Sequence, residues 1–391
     1  IENGAIAVRH GRIVDIGPAD QVCGDQLHDL GEVALLPGLI NAHTHLELGA
    51  FAGRVTGQTL WDWMDSLVRL VLAEQSDHPF IESVKAGAAA SLAAGVTCVA
   101  DISRTGLNVQ PLSESPIRKV CYLELISGAR RPPNDGPSLA SLIEDLSRLE
   151  QPDSLIIGVS PHAPYSVSET DLHAAANLAE SRLPVTIHWL ETRDERDWLL
   201  GATGRLNDFL SARNSAMKPP SNLKSPSTLL ERTGLLRCKP LLAHCNYLTT
   251  DEMDPLARSG ASVVWCPRTH AFFNHEPHSW KQMQGRGINV CIGTDSLASS
   301  PSLSILDELR FIRRNDKQLR PDLLLELATI RAAKALGLDS AIGSLEIGKC
   351  ADFIAIGCAQ SVIGNPFEAI VDDDTQMKST WIEGKLVAGN R

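Results

Sequence analysis

The chain contains eight short apolar runs that predict β-strands, and stretches with helical character separate many of them. No other feature limits the fold as strongly, because eight strands that alternate with helices are typical of a (β/α)8 barrel. Such a barrel carries its chemistry on loops at the carboxyl ends of its strands. We predict strands at residues 35–40, 96–101, 120–126, 155–160, 184–188, 240–244, 261–265 and 288–294.

Apolar residues three and four positions apart indicate amphipathic helices between and after these strands. The segment 211–227, which contains MKPPSNLKSPS, is the least regular part of the chain, and we predict a long loop there, after the fifth strand. The helical pattern is clearest at residues 79–94, 138–150, 168–182, 303–314 and 321–336.

Both ends of the chain have a different texture, with short β-like runs between Gly, Asp and Pro turns. Neither end is long enough to bury a core alone, so we expect the two to join as one small β-sandwich beside the barrel. The predicted organisation is α/β, with residues 1–36 and 340–391 in the sandwich and residues 37–339 in a TIM-like barrel.

The composition narrows the class of partner. The 391 residues are 43% hydrophobic and 21% charged, with a formal net charge of -11. A phosphate-backbone ligand would need a basic stripe, which the sequence lacks. We therefore expect a small-molecule substrate and no nucleic-acid partner. No apolar stretch reaches ~18 residues, so we expect no membrane partner either. The oligomeric state stays open, with a homodimer among the possible states.

Cysteine usage bears on the compartment. The nine cysteines form no C-x-x-C pair, and several lie in or beside apolar strand-like runs. This pattern favours reduced core residues of a cytoplasmic protein over a disulfide framework, and we expect no signal peptide. The cysteines in question are Cys98, Cys121, Cys245, Cys266 and Cys291.

Two histidines end the first predicted strand, in the run PGLINAHTH. His43 and His45 are two positions apart, and alternate residues of a strand face the same side, so both imidazoles can reach one ion. The later runs PVTIH and VCIGTD end in His188 and Asp295, at strand ends that a barrel brings together. Three imidazoles and one carboxylate predict a site for one divalent metal ion, Zn²⁺ first and Fe²⁺ as the alternative, with a position open for water.

Residues beyond these ligands are candidates for proton transfer. A bound metal lowers the pKa of water to ~7, so that hydroxide is available at neutral pH. Glu191, three residues past His188, is predicted to move protons, and a solvated loop carboxylate is the alternative. Asp295 would also accept a proton from the water. His244 ends the sixth strand and is predicted to steady the hydroxide or the substrate, with metal ligation as the alternative.

The fourth strand, in SLIIGVSPHAPYS, contains no lysine that would bridge two metals, which favours a single metal. His162, which follows this strand, is predicted to contact the substrate, with a turn histidine before Pro164 as the alternative.

The segment 265–280, WCPRTHAFFNHEPHSW, contains three histidines, but we predict no strand or helix in it that would fix ligand geometry. We therefore predict a pocket wall and no second metal site. Arg268 and the rings of Phe272 and Phe273 are predicted to contact the substrate. Trp63, in TLWDWMDSLV, is predicted to line the same mouth, with a place in the core as the alternative.

With these residues in place, the chain resembles the amidohydrolase superfamily, in the mononuclear branch that holds adenosyl-compound, guanine and cytosine deaminases and triazine hydrolases. The motifs PGLINAHTH, SPHAPYS, HWLE, LAHCNYL, IGTDSLAS and GSLEIGKCADF follow one another in this order over essentially the whole chain. Many relatives have CP-x-S-N after the seventh strand where this chain has CPRTHAFFNH, so we expect a specialised pocket there. The resemblance implies metal binding by His43, His45, His188 and Asp295, proton shuttling by Glu191, hydroxide or substrate contact by His244, and substrate contact by His162.

We therefore predict a metal-dependent hydrolytic deaminase of an aminated heterocycle. The runs HTHLEL and ETRDERDWLLGATG are most similar to members that act on adenosyl-type compounds, namely aminodeoxyfutalosine, S-adenosylhomocysteine or methylthioadenosine. The same site would also suit removal of chloride or an alkylamine from triazine-like rings, guanine or cytosine deamination, or cyclic amide hydrolysis. A non-catalytic homologue is the remaining alternative, and the complete ligand set argues against it.

Overall fold

A computed structural model describes residues 1–57, 59–127, 154–180, 183–213, 215, 217–357 and 367–389. Within this part of the chain there are three four-stranded sheets and one hairpin. The strands are β1 (Gly4–Arg9), β2 (Arg12–Pro18), β3 (Val33–Pro37), β4 (Leu39–Thr44), β5 (Val96–Ser103), β6 (Arg118–Leu125), β7 (Leu155–Pro161), β8 (Thr186–Trp189), β9 (Leu241–His244), β10 (Ser262–Trp265), β11 (Asn289–Ile292), β12 (Phe353–Gly357), β13 (Met377–Ile382) and β14 (Lys385–Gly389).

The predicted eight-stranded barrel is confirmed. Strands β4 to β7 form one parallel sheet and β8 to β11 form another. A parallel bridge between Val159 and Val185 joins β7 to β8. At the other seam, the N–H groups of Thr294 and Asp295 donate to the carbonyl oxygen of His43, which joins the chain after β11 to β4. A Cβ at Gly293 would lie 2.7 Å from that oxygen, so the seam closes only with glycine there.

Apolar side chains fill the interior of the barrel, so the interior offers no open channel and the chemistry is confined to the strand ends. One buried cluster contains residues contributed by both half-barrels. Its members include Ile40, Ala42, Cys98, Ala100, Val120, Leu241, Ala243, Val264 and Cys291.

The described helices surround this barrel and connect its strands. The helix predicted at 138–150 lies outside the described residues. The α-helices are Leu60–Ala73, His78–Ala93, Val109–Ser113, Glu169–Glu180, Arg193–Leu199, Arg205–Ala212, Ser227–Arg232, Thr250–Ser259, Pro267–Phe272, Trp280–Gly285, Ile305–Asn315, Pro321–Ala328, Ile330–Ala335 and Glu368–Val371, and two 3-10 helices span Leu46–Phe51 and Leu235–Cys238.

Two predicted elements are divided in the structure. The helix predicted at 321–336 is two helices, because Thr329 has φ -131° and ψ -97° and its hydroxyl donates to the Leu325 carbonyl at 2.6 Å. The strand predicted at 35–40 is also two strands, β3 and β4, which separate at Gly38. A Cβ there would lie 2.1 Å from the Thr97 Oγ1. The sequence does mark this break, because Pro37 and Gly38 interrupt the apolar run, so the prediction of one continuous strand was wrong there.

The chain ends meet as predicted in an antiparallel sheet of order β14-β13-β12-β3. The β1–β2 hairpin packs on it through Ile13, which is buried with Ala351, Phe353 and Trp381. The sheet is bonded to the barrel, because the Thr380 hydroxyl donates to the Leu92 carbonyl at 2.8 Å. A salt bridge between Arg118, at the start of β6, and Asp352 adds a second link.

The cysteines predicted to lie in the core, Cys98, Cys121, Cys245, Cys266 and Cys291, are buried and unpaired. None of the helices among the described residues has the length and apolar character needed to cross a bilayer.

Candidate active site

His43 and His45 lie at the end of β4, where the two rings are in edge contact with centroids 5.0 Å apart. The His43 side chain is 1% exposed, and neither of its ring nitrogens has a hydrogen-bond partner. An unpaired buried imidazole is costly unless another group satisfies it. A metal ion would supply that partner.

His188, at the end of β8, lies against the same pair. Its Nδ1 is 2.8 Å from the carbonyl oxygen of His162, so Nδ1 donates and Nε2 carries a free lone pair. That Nε2 is 3.3 Å from the Nε2 of His45. Two imidazole nitrogens at this distance need a cation or a proton between them, and the carbonyl-fixed tautomer of His188 favours a cation.

Asp295 completes this group from the turn after β11. Its Oδ1 is 3.9 Å from the Nε2 of His45 and accepts the N–H of Ser296 at 2.8 Å. Burial raises the pKa of its carboxyl to about 7, although the bonds from Ser296 and Ser299 act in the opposite direction. A metal cation beside it would hold the carboxylate in its ionised form.

The donor set fits a divalent metal ion. Potential ligand atoms of His43, His45 and Asp295 lie within 4.8 Å of one another, as do those of His43, His188 and His244. Burial lowers the pKa of the four histidines below the ordinary value, so each is a neutral donor at neutral pH. Neutral imidazoles with one carboxylate are typical ligands of a catalytic transition metal.

Several residues at these strand ends have left-handed backbone conformations, which residues other than glycine rarely adopt. Leu190 has φ 48°, His244 71°, Cys245 53° and Asp295 61°. Such conformations cost on the order of 1–3 kcal/mol each and persist where the surroundings impose them. They follow β8, β9 and β11, the three strands that present His188, His244 and Asp295.

Glu191 lies in the turn after β8 and is 7% exposed, so it is not the solvated loop carboxylate that the sequence left as an alternative. Its Oε1 is 3.7 Å from the Nε2 of His244. Burial, and then the nearby carboxyls of Asp295 and Glu195, raise the pKa of Glu191 well above its ordinary value. A carboxyl whose pKa is raised holds its proton more firmly and is suited to proton donation.

His162, after β7, lies beside the same group, with its ring centroid 5.0 Å from that of His188. Its Nδ1 is 2.6 Å from the Ser166 hydroxyl, which fixes the ring. The alternative of an isolated turn histidine does not describe this position, because the ring adjoins the candidate ligands.

Sequence reasoning missed Glu124, at the end of β6. It forms a third group with His162 and His188, again with potential ligand atoms within 4.8 Å of one another. His188 has only one nitrogen to give, because its Nδ1 is bonded to the His162 carbonyl, so it cannot serve two separate ions. The signal was present in the sequence, since CYLEL places an acidic residue at the end of an apolar run.

Arg268 does not reach the site as predicted. Its Nε donates to the Glu308 carboxylate at 2.6 Å, and its terminal nitrogens donate to Ser302 and to the Ser304 carbonyl. The side chain is 11% exposed and its partner Glu308 is fully buried. Because its hydrogen-bonding groups are engaged inside the protein, the geometry contradicts the predicted substrate contact.

Trp63 also has a structural place. It is 5% exposed, its Nε1 donates to the Ala298 carbonyl at 3.1 Å, and its ring meets that of Phe273 at 5.5 Å. The core alternative therefore describes Trp63 better than the predicted role in the pocket mouth. Phe273 packs with it, whereas Phe272 is 48% exposed.

The segment after β10 is more regular than predicted, because Pro267–Phe272 is a helix. Proline at its start and the anchored Arg268 explain the helix that the turn-rich composition concealed. Its histidines bond to the loop after β9: His270 Nδ1 lies 3.0 Å from the Asn246 Oδ1, His275 Nδ1 lies 3.2 Å from the Tyr247 hydroxyl, and His278 Nε2 lies 2.8 Å from the His244 carbonyl. No candidate ligand group found among the described residues includes any of the three.

The fold and the site together define a barrel hydrolase with a histidine-rich metal centre. Residues 34–387 match the model of the amidohydrolase family, and the chain belongs to that family.

Among sequence relatives, a 5-methylthioadenosine/S-adenosylhomocysteine deaminase from Saccharophagus degradans is 29% identical, over 100% of this chain and 88% of the relative. Three solved structures share the fold. An adenosine deaminase from Xanthomonas campestris with bound zinc has a TM-score of 0.83 at 24% identity, covering 99% of this chain and 88% of the other. An aminofutalosine deaminase from Helicobacter pylori, in complex with methylthio-coformycin, has a TM-score of 0.80 at 23% identity, covering 99% of this chain and 96% of the other. An atrazine chlorohydrolase from Arthrobacter aurescens, complexed with zinc, has a TM-score of 0.79 at 19% identity, covering 98% of this chain and 90% of the other.

Proposed function

We propose that this protein is a hydrolytic deaminase of an adenosyl-type compound, such as methylthioadenosine, S-adenosylhomocysteine or aminodeoxyfutalosine. The observation that carries the proposal is the buried Glu191, whose carboxyl lies 3.7 Å from His244 and beside the ligand group. The names of the sequence relative and of two of the structural neighbours support the choice of substrate class.

The proposed metal ligands are His43, His45, His188 and Asp295, and the proposed ion is a single Zn²⁺. Two structural neighbours contain zinc, which supports zinc as the proposed ion. When bound, the ion supplies Lewis acidity that lowers the pKa of a water molecule toward ~7.

The remaining steps fall to residues of the chain. Water adds to the ring carbon that bears the exocyclic amine, and Asp295 accepts a proton from that water. Glu191 donates its proton to the adjacent ring nitrogen, and the carboxylate that results takes the remaining proton of the added oxygen and passes it to the amine. Asp295 then returns its proton to Glu191, which restores the starting state. The C–N bond breaks, ammonia leaves, and the ring carbon keeps the oxygen of water as a carbonyl. His244 steadies the reacting oxygen by a hydrogen bond.

Substrate orientation is proposed for His162 and Glu124, which lie on the side of the site formed by β6 and β7. The ribosyl part of an adenosyl compound carries hydroxyl groups, and a carboxylate and an imidazole are suitable partners for them. Arg268 takes no part, since its guanidinium is bonded to Glu308 and Ser302.

Ammonia release from a panel of compounds tests the function. The panel contains methylthioadenosine, S-adenosylhomocysteine, aminodeoxyfutalosine, adenosine, guanine, cytosine and a chlorinated and an alkylaminated triazine, and chloride and alkylamine release are followed in parallel. We expect the highest kcat/KM with an adenosyl compound. Higher kcat/KM with guanine or cytosine would overturn the substrate class, and chloride release without ammonia would overturn the deaminase.

The metal proposal has its own measurement. Elemental analysis of the purified protein should find about one transition-metal ion per chain, because the candidate groups overlap through His43 and His188. His43→Ala should lower that content and the activity together. Two ions per chain, both required for turnover, would contradict the mononuclear centre.

A further inference from the structure

The peptide unit of Glu191 is held on both of its sides by buried side chains. The Glu195 carboxylate accepts the N–H of Leu190 at 2.8 Å through Oε1 and the N–H of Glu191 at 3.0 Å through Oε2. On the other side, the Asn246 Nδ2 donates to the Glu191 carbonyl at 3.0 Å. Glu195 is fully buried and Asn246 is 7% exposed, so neither bond competes with bulk water.

These bonds hold a turn that the backbone would not adopt unaided. Leu190, at φ 48°, has a left-handed conformation that is unfavourable in a residue other than glycine. A carboxylate with two oxygens suits two adjacent N–H groups. A glutamine would present one oxygen and one NH₂ group, and the NH₂ group would face an N–H.

Glu195 is itself well placed for this contact. It lies in the first turn of the helix Arg193–Leu199, where the Thr192 hydroxyl accepts its N–H at 3.0 Å. A glutamate at this helix position commonly bonds back to the capping residue. Here it bonds to the two residues before the cap, one of which is Glu191.

Asn246 has its amide orientation set by two neighbours. Donation to the Glu191 carbonyl requires its nitrogen on that side, which turns its Oδ1 toward the Nδ1 of His270 at 3.0 Å. Asn246 lies in the loop after β9, two residues past His244 at the end of that strand. The loop is bonded to the turn after β8 by the Tyr247 N–H, which donates to the Leu190 carbonyl at 3.1 Å.

We propose that Glu195 and Asn246 are positioning residues, which together clamp the Glu191 peptide and so hold its carboxyl within reach of His244 and the reacting atoms. This inference rests on the proposed function, because it assumes that Glu191 transfers protons. Small displacements of a reacting group can cost on the order of 10²-fold in rate, so the clamp should act on kcat.

Glu195→Gln and Asn246→Ala, each made alone and in the Glu191→Gln background, test the proposal. We expect each single variant to lose on the order of 10-fold in kcat, with KM and metal content near those of the wild type. In the Glu191→Gln background neither change should lower kcat further, because the group they position no longer transfers protons. An equal loss in both backgrounds, or a wild-type kcat in the single variants, would overturn the proposal.

Asp352→Asn is the matched control. Asp352 is also a buried carboxylate that accepts a backbone N–H, from Glu383 at 2.9 Å, but it lies in the terminal sheet. This variant should lose stability and keep the kcat of the wild type per folded, metal-loaded molecule.

Hydrogen exchange supplies a readout that needs no substrate. The amides of Leu190 and Glu191 should exchange at least about 10-fold faster in Glu195→Gln than in the wild type, while those of β8 stay protected. Unchanged exchange would overturn the clamp even if turnover fell. Absence of turnover by the wild type would instead overturn the proposed function, and the exchange result would still decide whether the clamp exists.

Discussion

At the scale of single residues, burial decides the chemistry more than residue type does. Glu191 and Glu195 are both buried acids four residues apart. Both oxygens of Glu195 accept hydrogen bonds from backbone N–H groups, whereas the carboxyl of Glu191 faces His244. Burial raises the pKa of both, to about 8 for Glu195. These different partners support the proposed positioning role for Glu195 and the proposed proton-transfer role for Glu191.

Glu191→Gln should keep the metal and lose turnover by on the order of 10²-fold or more, because an amide cannot donate and recover the proton that the carboxyl carries. The measurement is kcat on the best substrate of the panel, together with the metal content. Glu180→Gln, at an exposed position, is the control. Near-normal kcat in Glu191→Gln would show that another group moves the proton.

At the scale of elements, the segment after β10 supports the site from outside through hydrogen bonds. Arg268 ties the helix Pro267–Phe272 to the helix Ile305–Asn315 through Glu308. The histidines that follow tie the same segment to the loop after β9. The segment thereby fixes where His244 lies relative to Glu191.

Arg268→Ala should lower the free energy of unfolding by about 3–5 kcal/mol, because it leaves the buried Glu308 without its cation. KM should stay within about threefold of the wild type, because the guanidinium does not meet the substrate. Chemical denaturation and steady-state kinetics measure the two effects. Arg320→Ala removes an exposed ion pair and is the control, which should leave the free energy of unfolding near that of the wild type. A large rise in KM without loss of stability would restore Arg268 as a substrate contact.

The histidines of this segment predict destabilisation by acid. Burial, and then the neighbouring His270, lower the pKa of His275 to about 4. Because the folded pKa lies below the unfolded value of about 6.5, the unfolded state binds more protons between these values, and stability falls as the pH drops from 6.5 toward 4.

His275→Gln should flatten this decline by roughly 1–3 kcal/mol. The measurement is the free energy of unfolding at pH 7, 6, 5 and 4 for both proteins. His173→Gln, at an exposed position, is the matched control. An identical slope in His275→Gln and the wild type would mean that His275 is not neutral in the folded protein.

At the scale of the whole molecule, the terminal sheet and the barrel share one chain path and several bonds. Strand β3 passes into β4 through Gly38, whose N–H donates to the Asp352 carbonyl at 3.0 Å. The Arg118–Asp352 salt bridge and the Thr380–Leu92 bond add links from other strands. The sheet therefore has little independence from the barrel.

We expect one calorimetric unfolding transition for the metal-loaded protein, with the two parts melting together. Removal of the metal by a chelator should lower Tm, because a ligand that binds only the folded state stabilises it. Two separated transitions, with the terminal sheet melting first, would show that the links across Gly38 and Arg118 are weak.

The sequence by itself determined the barrel and most of the candidate metal site. Strand periodicity is a local property of the sequence, and in a barrel every strand brings its carboxyl end to the same face. Polar residues that end apolar runs can therefore be recognised from the sequence as candidate site residues. His43, His45, His188, His244 and Asp295 were found in this way, and Glu124 obeys the same rule although it was overlooked.

Only the tertiary structure decided which partner each polar side chain meets. Arg268 and Glu308 are 40 residues apart, and Asn246 and Glu191 are 55 apart, so no local pattern reveals that they bond. The close approach of Thr97, from a neighbouring strand, to Gly38 is likewise decided by the fold. Hydrogen bonding and burial act over a few ångströms in space. Residues that are far apart in the sequence come within this range only when the chain is folded.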